Sequence, residues 1–165
     1  MKGASHIKLM AGGGVSSDYD PFDVTQYTED EMRAGVRCID HAQLADEDTA
    51  YALAKKHGIK LAWGTDTLFD PVLATRQGKQ LAKMQRWFTP AQTLRMATHD
   101  NAELLALSGP RSPYPGRLGV VEAGALADLL LVDGNPLENL ALVATPETSF
   151  VVIMKDGRIY KNSLH

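Results

Sequence analysis

Three side chains that can bind a metal ion or carry a proton stand at or near the ends of short apolar runs: Lys8, His41 and Asp66. The apolar runs predict short strands at 5–11, 36–40 and 59–63. In parallel α/β folds, ligands bind at the carboxyl ends of the strands. A lysine, a histidine and an aspartate brought together at that edge would suit a metal-assisted hydrolase.

Each of these residues also has an ordinary structural interpretation. Lys8 taken alone would be a solvated lysine at a strand end. His41 taken alone is more often a hydrogen-bonded structural histidine than a ligand. Asp66 follows Gly64 and Thr65 and could simply cap the next loop. The residue types therefore permit a metal site without requiring one.

Composition and charge exclude several classes of protein. The 165 residues are 44% hydrophobic and 22% charged, which is enough apolar material for one domain or for one domain with a small appendage. A formal net charge of -3 argues against nucleic-acid or anionic-membrane partners. The sequence has neither a membrane-length apolar run nor an N-terminal signal core, so we expect a cytoplasmic protein. Cys38 is the single cysteine and is read as a small buried hydrophobe.

Helical patterns dominate the middle of the chain, at 46–57, 71–87, 89–100 and 101–107. Gly58 is expected to end the first of these helices. Thr89 is expected to cap the third, with Pro90 at its first position. His99 and Asp100 fall where the last two helical segments meet, and a capping role is predicted for them.

The composition changes after residue 107. The stretch 108–119 contains three prolines and three glycines, which is typical of a linker or an irregular crossing. Strand-like runs follow at 127–132, 150–155 and 158–161. Asp156-Gly157 between the last two runs predicts a tight hairpin, because both turn positions favour positive φ. The sequence therefore predicts a parallel α/β part at 1–107 and a small β module at 108–165.

Six stretches of this sequence resemble the amidohydrolase superfamily, in its branch of imidazolonepropionase-like and Xaa-Pro-dipeptidase-like enzymes. They are GASHIKLMAGGGVSS, GVRCIDHAQLADEDTA, IKLAWGTD, TPAQTLRMATHDNAELLAL, LGVVEAGALADLLLVDGNPLENL and VVIMKDGRIYKN. Together they cover most of the chain in the order that the family has them. The resemblance implies a (β/α)8 barrel, present here in part over 1–107, with a small β-sandwich module at 108–165.

The resemblance also implies a metal site and a reaction. Lys8 matches the family's strand-four lysine, which is carboxylated, while His41 matches the strand-six histidine and Asp66 the strand-eight aspartate. These residues would hold a divalent metal, in the first place zinc, although iron and manganese suit the same donors. Asp66 would in addition accept a proton. The implied reaction is hydrolysis of a carbon–nitrogen bond in a small-molecule amide, cyclic amide or dipeptide.

The sequence departs from the family pattern in ways that leave other functions open. It contains no His-x-His pair, and the strand-five and strand-seven regions are missing between Arg33 and Gly35 and between Lys56 and Ile59. One alternative is a catalytically inactive remnant that acts as an oligomeric interaction or scaffold protein. Another is a small phosphate-ligand binder that uses Gly12-Gly13-Gly14. Exposed edges of a three-stranded sheet would favour a homo-oligomer.

Overall fold

The described part of the chain comprises residues 51–52, 55–56, 58–65, 67 and 70–164 of a computed structural model. Lys8, His41 and Asp66, the strands predicted at 5–11 and 36–40, and the glycine run lie outside these residues. The chain divides into two compact units, one of 1–59 with 108–111 and one of 60–107 with 112–165. Among the described residues, none of the helices has the length and hydropathy needed to cross a membrane.

The first unit contains the end of a helix. Residues 51–52 and 55–56 are helical, as predicted for the segment 46–57. Gly58 has a φ of 61°, and its amide donates to the Lys55 carbonyl over 3.3 Å. A left-handed glycine just past the last turn is a common way for a helix to end, so the predicted stop at Gly58 is confirmed.

The second unit begins with short helices that follow the predicted segment 71–87. Helix α1 spans Pro71–Ala74, and the Asp70 side chain caps it by accepting from the Leu73 amide over 2.8 Å. Helix α2 spans Gln77–Ala82 and continues as a 3-10 turn, Lys83–Arg86. The segment is therefore mostly helical, as predicted, with a break between α1 and α2.

A longer helical stretch follows and is capped as predicted. Helix α3 spans Pro90–Arg95, the π turn spans Met96–Asp100, and helix α4 spans Asn101–Ala106. The Thr89 hydroxyl accepts from the Gln92 amide over 3.3 Å, and the Gln92 side chain accepts from the Thr89 amide over 2.9 Å. This reciprocal pairing satisfies two amides that the first turn would otherwise leave open.

The predicted β module forms one antiparallel sheet with the order β1-β2-β3. Its strands are β1 Leu129–Val132, β2 Phe150–Lys155 and β3 Arg158–Asn162. Asp156 has a φ of 49° and Gly157 a φ of 73°, which confirms the predicted hairpin turn. The Asp128 side chain accepts from the Asp156 amide over 2.6 Å and so ties the turn to the residue that precedes β1. The expected second layer of a sandwich is not among the described residues.

The core of the second unit joins helix α2 to the 3-10 helix Leu140–Ala144. Ala82, Leu140 and Val143 are buried together, and Phe150 at the start of β2 packs against them. Helix α5, Pro146–Ser149, follows the 3-10 helix, and the buried Ser149 hydroxyl donates to the Thr145 carbonyl over 2.7 Å. The packing therefore joins residues from both sides of the predicted division at 107/108, and that division stays a prediction.

The strand predicted at 59–63 is wrong for this structure, because residues 59–63 belong to no strand. An apolar run becomes a β-strand only when a neighbouring segment completes its ladder of hydrogen bonds. None of the described segments pairs with 59–63 in that way. The segment is instead held by side chains of the helical stretch.

Candidate functional site

Two side-chain contacts dock the segment 59–65 onto helix α4. The Asn101 side chain accepts from the Trp63 amide over 2.8 Å and donates to the Trp63 carbonyl over 2.8 Å. The Lys60 ammonium group lies 2.5 Å from a Glu103 carboxylate oxygen. The carboxamide thus supplies the two backbone hydrogen bonds of Trp63 that a neighbouring strand would supply in a sheet. Gly64 and Thr65, which lead to Asp66, follow directly.

A π turn lies immediately before Asn101. Its five residues, Met96–Asp100, widen the helix, and the Asn101 amide donates to the Met96 carbonyl. The Ala97 carbonyl, which an α-helix would pair with that amide, accepts from the Asn101 side chain over 3.4 Å. π turns of this kind are rare and often occur at functional sites. Here the turn brings the Asn101 carboxamide to the Trp63 backbone.

A cluster of ionisable side chains occupies the same turn. His99 Nδ1 lies 3.0 Å from Asp100 Oδ1 and 3.7 Å from Glu103 Oε2. Arg95 Nε donates to Asp100 Oδ1 over 3.2 Å. Each carboxylate therefore has a basic partner, Arg95 for Asp100 and Lys60 for Glu103.

These partners shift the acidity of both carboxyl groups. Burial on its own would raise the pKa of Asp100, but hydrogen bonds from His99 and Arg95 together outweigh it and hold the pKa below its ordinary value of 3.8. The hydrogen bond from Lys60 is the main cause that lowers the pKa of Glu103 from 4.5. Both groups are therefore ionised at neutral pH, and Glu103 through its pair with Lys60 stabilises the docking of 59–65 against the helix.

The ion pairs should make the free energy of unfolding depend on pH. Because both pKa values are lowered on folding, the stabilisation is complete above about pH 5 and is lost as the pH falls through the folded values. We expect Asp100→Asn to lower the free energy of urea unfolding by no more than about 1 kcal/mol at pH 6, and by less at pH 3. Repeating the pH 6 measurement in 1 M salt should reduce the difference, since screening weakens exposed pairs. An equal loss at both pH values would contradict this assignment.

His99, Asp100 and Glu103 could also be considered as metal ligands, since their donor atoms all lie within 4.8 Å of one another. Their geometry argues against that role. Both carboxylates are already paired with basic side chains, so a cation would have to compete with Arg95 and Lys60 for them. Within the described part of the chain, this cluster is therefore best explained as an ion-pair network, in which the Lys60–Glu103 pair fastens the segment 59–65.

The capping role predicted for His99 and Asp100 is wrong. Asp100 precedes helix α4, but its side chain makes no capping hydrogen bond. No cap is needed, because the π turn carries the helical hydrogen bonding straight into α4 and Asp100 itself has helical backbone angles. The carboxylate is free to pair with Arg95 and His99 instead.

The described residues contain none of the three predicted metal ligands. Lys8, His41 and Asp66 all lie outside them, and Thr65 and Thr67, which flank Asp66, have their hydroxyl oxygens 3.3 Å apart. The sequence did not single out Asn101 or Lys60, because their partners, Trp63 and Glu103, are 38 and 43 residues away. The available signal was an asparagine in the stretch THDNAELLAL, which carries part of the family resemblance.

Most of this chain matches a known protein family. Residues 37–161 match the model of the Amidohydrolase family. The ochratoxinase of Aspergillus niger is 24% identical over 234 aligned positions, which cover 97% of this chain and 47% of that protein. The chain therefore spans about half the length of the curated relatives it matches. The alignment is also longer than the chain, so the relative has internal segments that this chain lacks.

Solved structures agree over nearly the whole chain. A crystal structure of an amidohydrolase superposes with a TM-score of 0.76 at 26% identity, covering 99% of this chain and 55% of that one. A prolidase in complex with N-methylphosphonate-L-proline gives a TM-score of 0.73 at 26% identity, covering 98% and 56%. The structure of the A. niger ochratoxinase, at 21% identity, shares the fold with a TM-score of 0.71 over 96% and 51%.

Proposed function

Because this chain belongs to the amidohydrolase family, we propose that it carries part of the metal site of a hydrolase acting on carbon–nitrogen bonds. The family match carries this proposal, since residues 37–161 include both His41 and Asp66. Lys8 lies before the matched range and is assigned by its position in the stretch GASHIKLMAGGGVSS. The part of the fold at 1–107 is proposed to be an incomplete (β/α)8 barrel, and 108–165 its small β module.

The three side chains offer a donor set that fits a divalent metal. A neutral imidazole at His41 and a carboxylate at Asp66 are ordinary zinc ligands. Lys8, once deprotonated and carboxylated, would offer two further oxygens, and burial near cations would favour that state. The metal held there, which we propose is zinc, would act as a Lewis acid towards water and the scissile carbonyl. Asp66 would take the proton from the attacking water.

Relatives suggest a substrate class. The similar proteins include an ochratoxinase and a prolidase that was crystallised with N-methylphosphonate-L-proline. We propose a small-molecule amide or a dipeptide as the substrate of this chain. We propose a cytoplasmic location from the sequence alone. The site is proposed to be incomplete in one copy, because a two-metal centre needs more ligands than Lys8, His41 and Asp66.

A second candidate function is favoured by exposed apolar side chains on the sheet. Leu130, Leu131, Ile159 and Tyr160 expose between 49% and 63% of their surface. These residues lie on the two outer strands of the sheet, β1 and β3. Exposed apolar strands at an edge favour association with another chain. We therefore keep, as the alternative, a catalytically inactive remnant that acts as an oligomeric interaction or scaffold protein, and we expect a homo-oligomer in both cases.

Metal analysis of the purified protein separates the two functions. After supplementation with zinc and bicarbonate, the wild type should hold about one metal ion per chain, as a zinc site with these ligands would. His41→Ala and Asp66→Ala should lose it, while His99→Ala is the matched control and should retain it. Loss in His99→Ala alone would move the metal to the helical cluster and contradict the proposal. A wild type without metal would favour the scaffold function.

The mass of the protein in solution is the second measurement. Sedimentation of the same samples should give an oligomer, because the exposed strands and the incomplete ligand set both call for a second copy. A metal-binding monomer would contradict the proposal that a second copy of the chain is needed to complete the ligand set. Retention of metal together with hydrolysis of a proline-containing dipeptide would support the hydrolase over the scaffold.

A further inference from the structure

The Asn101 carboxamide makes a two-point contact with the chain just before Asp66. It accepts from the amide and donates to the carbonyl of the same residue, Trp63, with both distances 2.8 Å. A side chain that pairs with both backbone groups of one residue fixes the orientation of both adjoining peptide planes. The contact spans 38 residues of sequence and is partly shielded from water.

A further hydrogen bond restrains the Asn101 side chain. Its Nδ2 atom also lies within hydrogen-bond distance of the Ala97 carbonyl, at 3.4 Å, in the widened turn. The Lys60–Glu103 pair fastens the beginning of the same segment. The segment is therefore tied at two points, of which the second lies three residues before Asp66.

We infer that Asn101 is a positioning residue: it sets the backbone of 63–65 and, through it, the affinity of the metal site to which Asp66 contributes. This inference rests on the proposed function for the role of Asp66 and on the hydrogen bonds above for the role of Asn101. Groups that orient a metal ligand from behind typically change metal affinity by about 10- to 100-fold when they are removed. Asn101 would act on the site without touching metal or substrate.

The structure offers a matched control for an Asn101 variant. The Asn139 side chain also accepts a hydrogen bond from a backbone amide, that of Ala141, over 3.1 Å, at the start of the 3-10 helix Leu140–Ala144. Asn139→Ala should therefore cost a similar hydrogen bond without touching the segment 59–65. Any effect that is specific to Asn101→Ala then reports on positioning rather than on a general loss of stability.

Two readouts on Asn101→Ala and Asn139→Ala test the inference. Hydrogen–deuterium exchange at residues 63–65 should be about tenfold faster in Asn101→Ala, because one net hydrogen bond protects the Trp63 amide. Zinc affinity, measured by equilibrium dialysis, should fall by about 10- to 100-fold in the same variant. Asn139→Ala should leave both quantities as in the wild type.

A milder variant covers the case in which Asn101→Ala fails to fold. Asn101→Asp keeps the oxygen that accepts from the Trp63 amide and loses the donor to the Trp63 carbonyl. Its exchange at 63–65 should lie between those of the wild type and Asn101→Ala. Its zinc affinity does not bear on the inference, because the substitution also adds a negative charge.

The outcomes distinguish this inference from the proposed function. If the wild type binds no zinc, the proposed function is overturned, and exchange at 63–65 alone decides whether Asn101 sets that backbone. If exchange at 63–65 is the same in the wild type and in Asn101→Ala, the inference is overturned whether or not zinc binds. If exchange rises while zinc affinity is unchanged, the link from this backbone to the metal site is overturned.

Discussion

Gly78→Ala is expected to destabilise the protein by about 3 kcal/mol, the upper end of the usual loss from overpacking. Gly78 lies in helix α2, where its backbone packs directly against the 3-10 helix Leu140–Ala144. A Cβ atom at this position would lie 1.9 Å from the Val143 carbonyl oxygen and 3.0 Å from its carbonyl carbon. Both atoms belong to the backbone, so relief requires the two helices to move apart.

Gly78→Ala would stabilise the protein if the close approach were absent. A glycine inside a helix normally costs up to about 1 kcal/mol of stability relative to alanine. The comparison is urea unfolding of the wild type, Gly78→Ala and Lys79→Ala. Lys79 is exposed in the same helix, and its replacement should change stability by no more than about 0.5 kcal/mol. A more stable Gly78→Ala would show that the two helices do not pack as described.

Gly119→Ala is expected to lose about 3 kcal/mol of stability from two sources, the φ angle and a steric clash. Gly119 has a φ of 71°, and an added Cβ would lie 2.6 Å from the Thr98 carbonyl oxygen and 2.9 Å from the Ala102 Cβ. Thr98 is part of the π turn and Ala102 of helix α4. The last residue of the irregular stretch therefore approaches the π turn and helix α4 too closely for any side chain.

Gly124 provides the matched control for this prediction. Its φ of 88° is also in the left-handed region, but no atom lies within 4 Å of an added Cβ. Gly124→Ala should therefore show the cost of the backbone angle alone, about 1 to 2 kcal/mol. The difference between the two variants in urea unfolding measures the clash. Equal losses would show that the packing against Thr98 contributes nothing to stability.

Several elements could be predicted from the sequence because their causes are local. Thr89 and Gln92 cap one helix through bonds that span three residues. Asp156 and Gly157 form the hairpin turn because both residues tolerate positive φ. The family could also be predicted from the sequence, because six short stretches resemble it and occur in the order that the family has them. The match over 37–161 confirms the family.

Other features were settled by contacts between residues far apart in sequence. The apolar run 59–63 looks like a strand, yet no described segment pairs with it and the Asn101 side chain takes the place of a strand at Trp63. The position of Asp100 predicts a helix cap, yet its carboxylate pairs with Arg95 and His99. The π turn leaves no helix end there to cap. No local propensity encodes either outcome.

Four features follow from the amino-acid sequence: the family, the helix cap at Thr89, the hairpin at Asp156-Gly157 and the residue types proposed as metal ligands. The folded chain adds the close backbone approach at Gly78 and Gly119 and the hydrogen bonds by which Asn101 and Lys60 hold the segment leading to Asp66. The two groups differ in the separation of the interacting residues along the chain. Caps and turns are set by neighbours within a few residues, whereas packing and the pairing of an isolated segment depend on which distant parts of the chain fold against it.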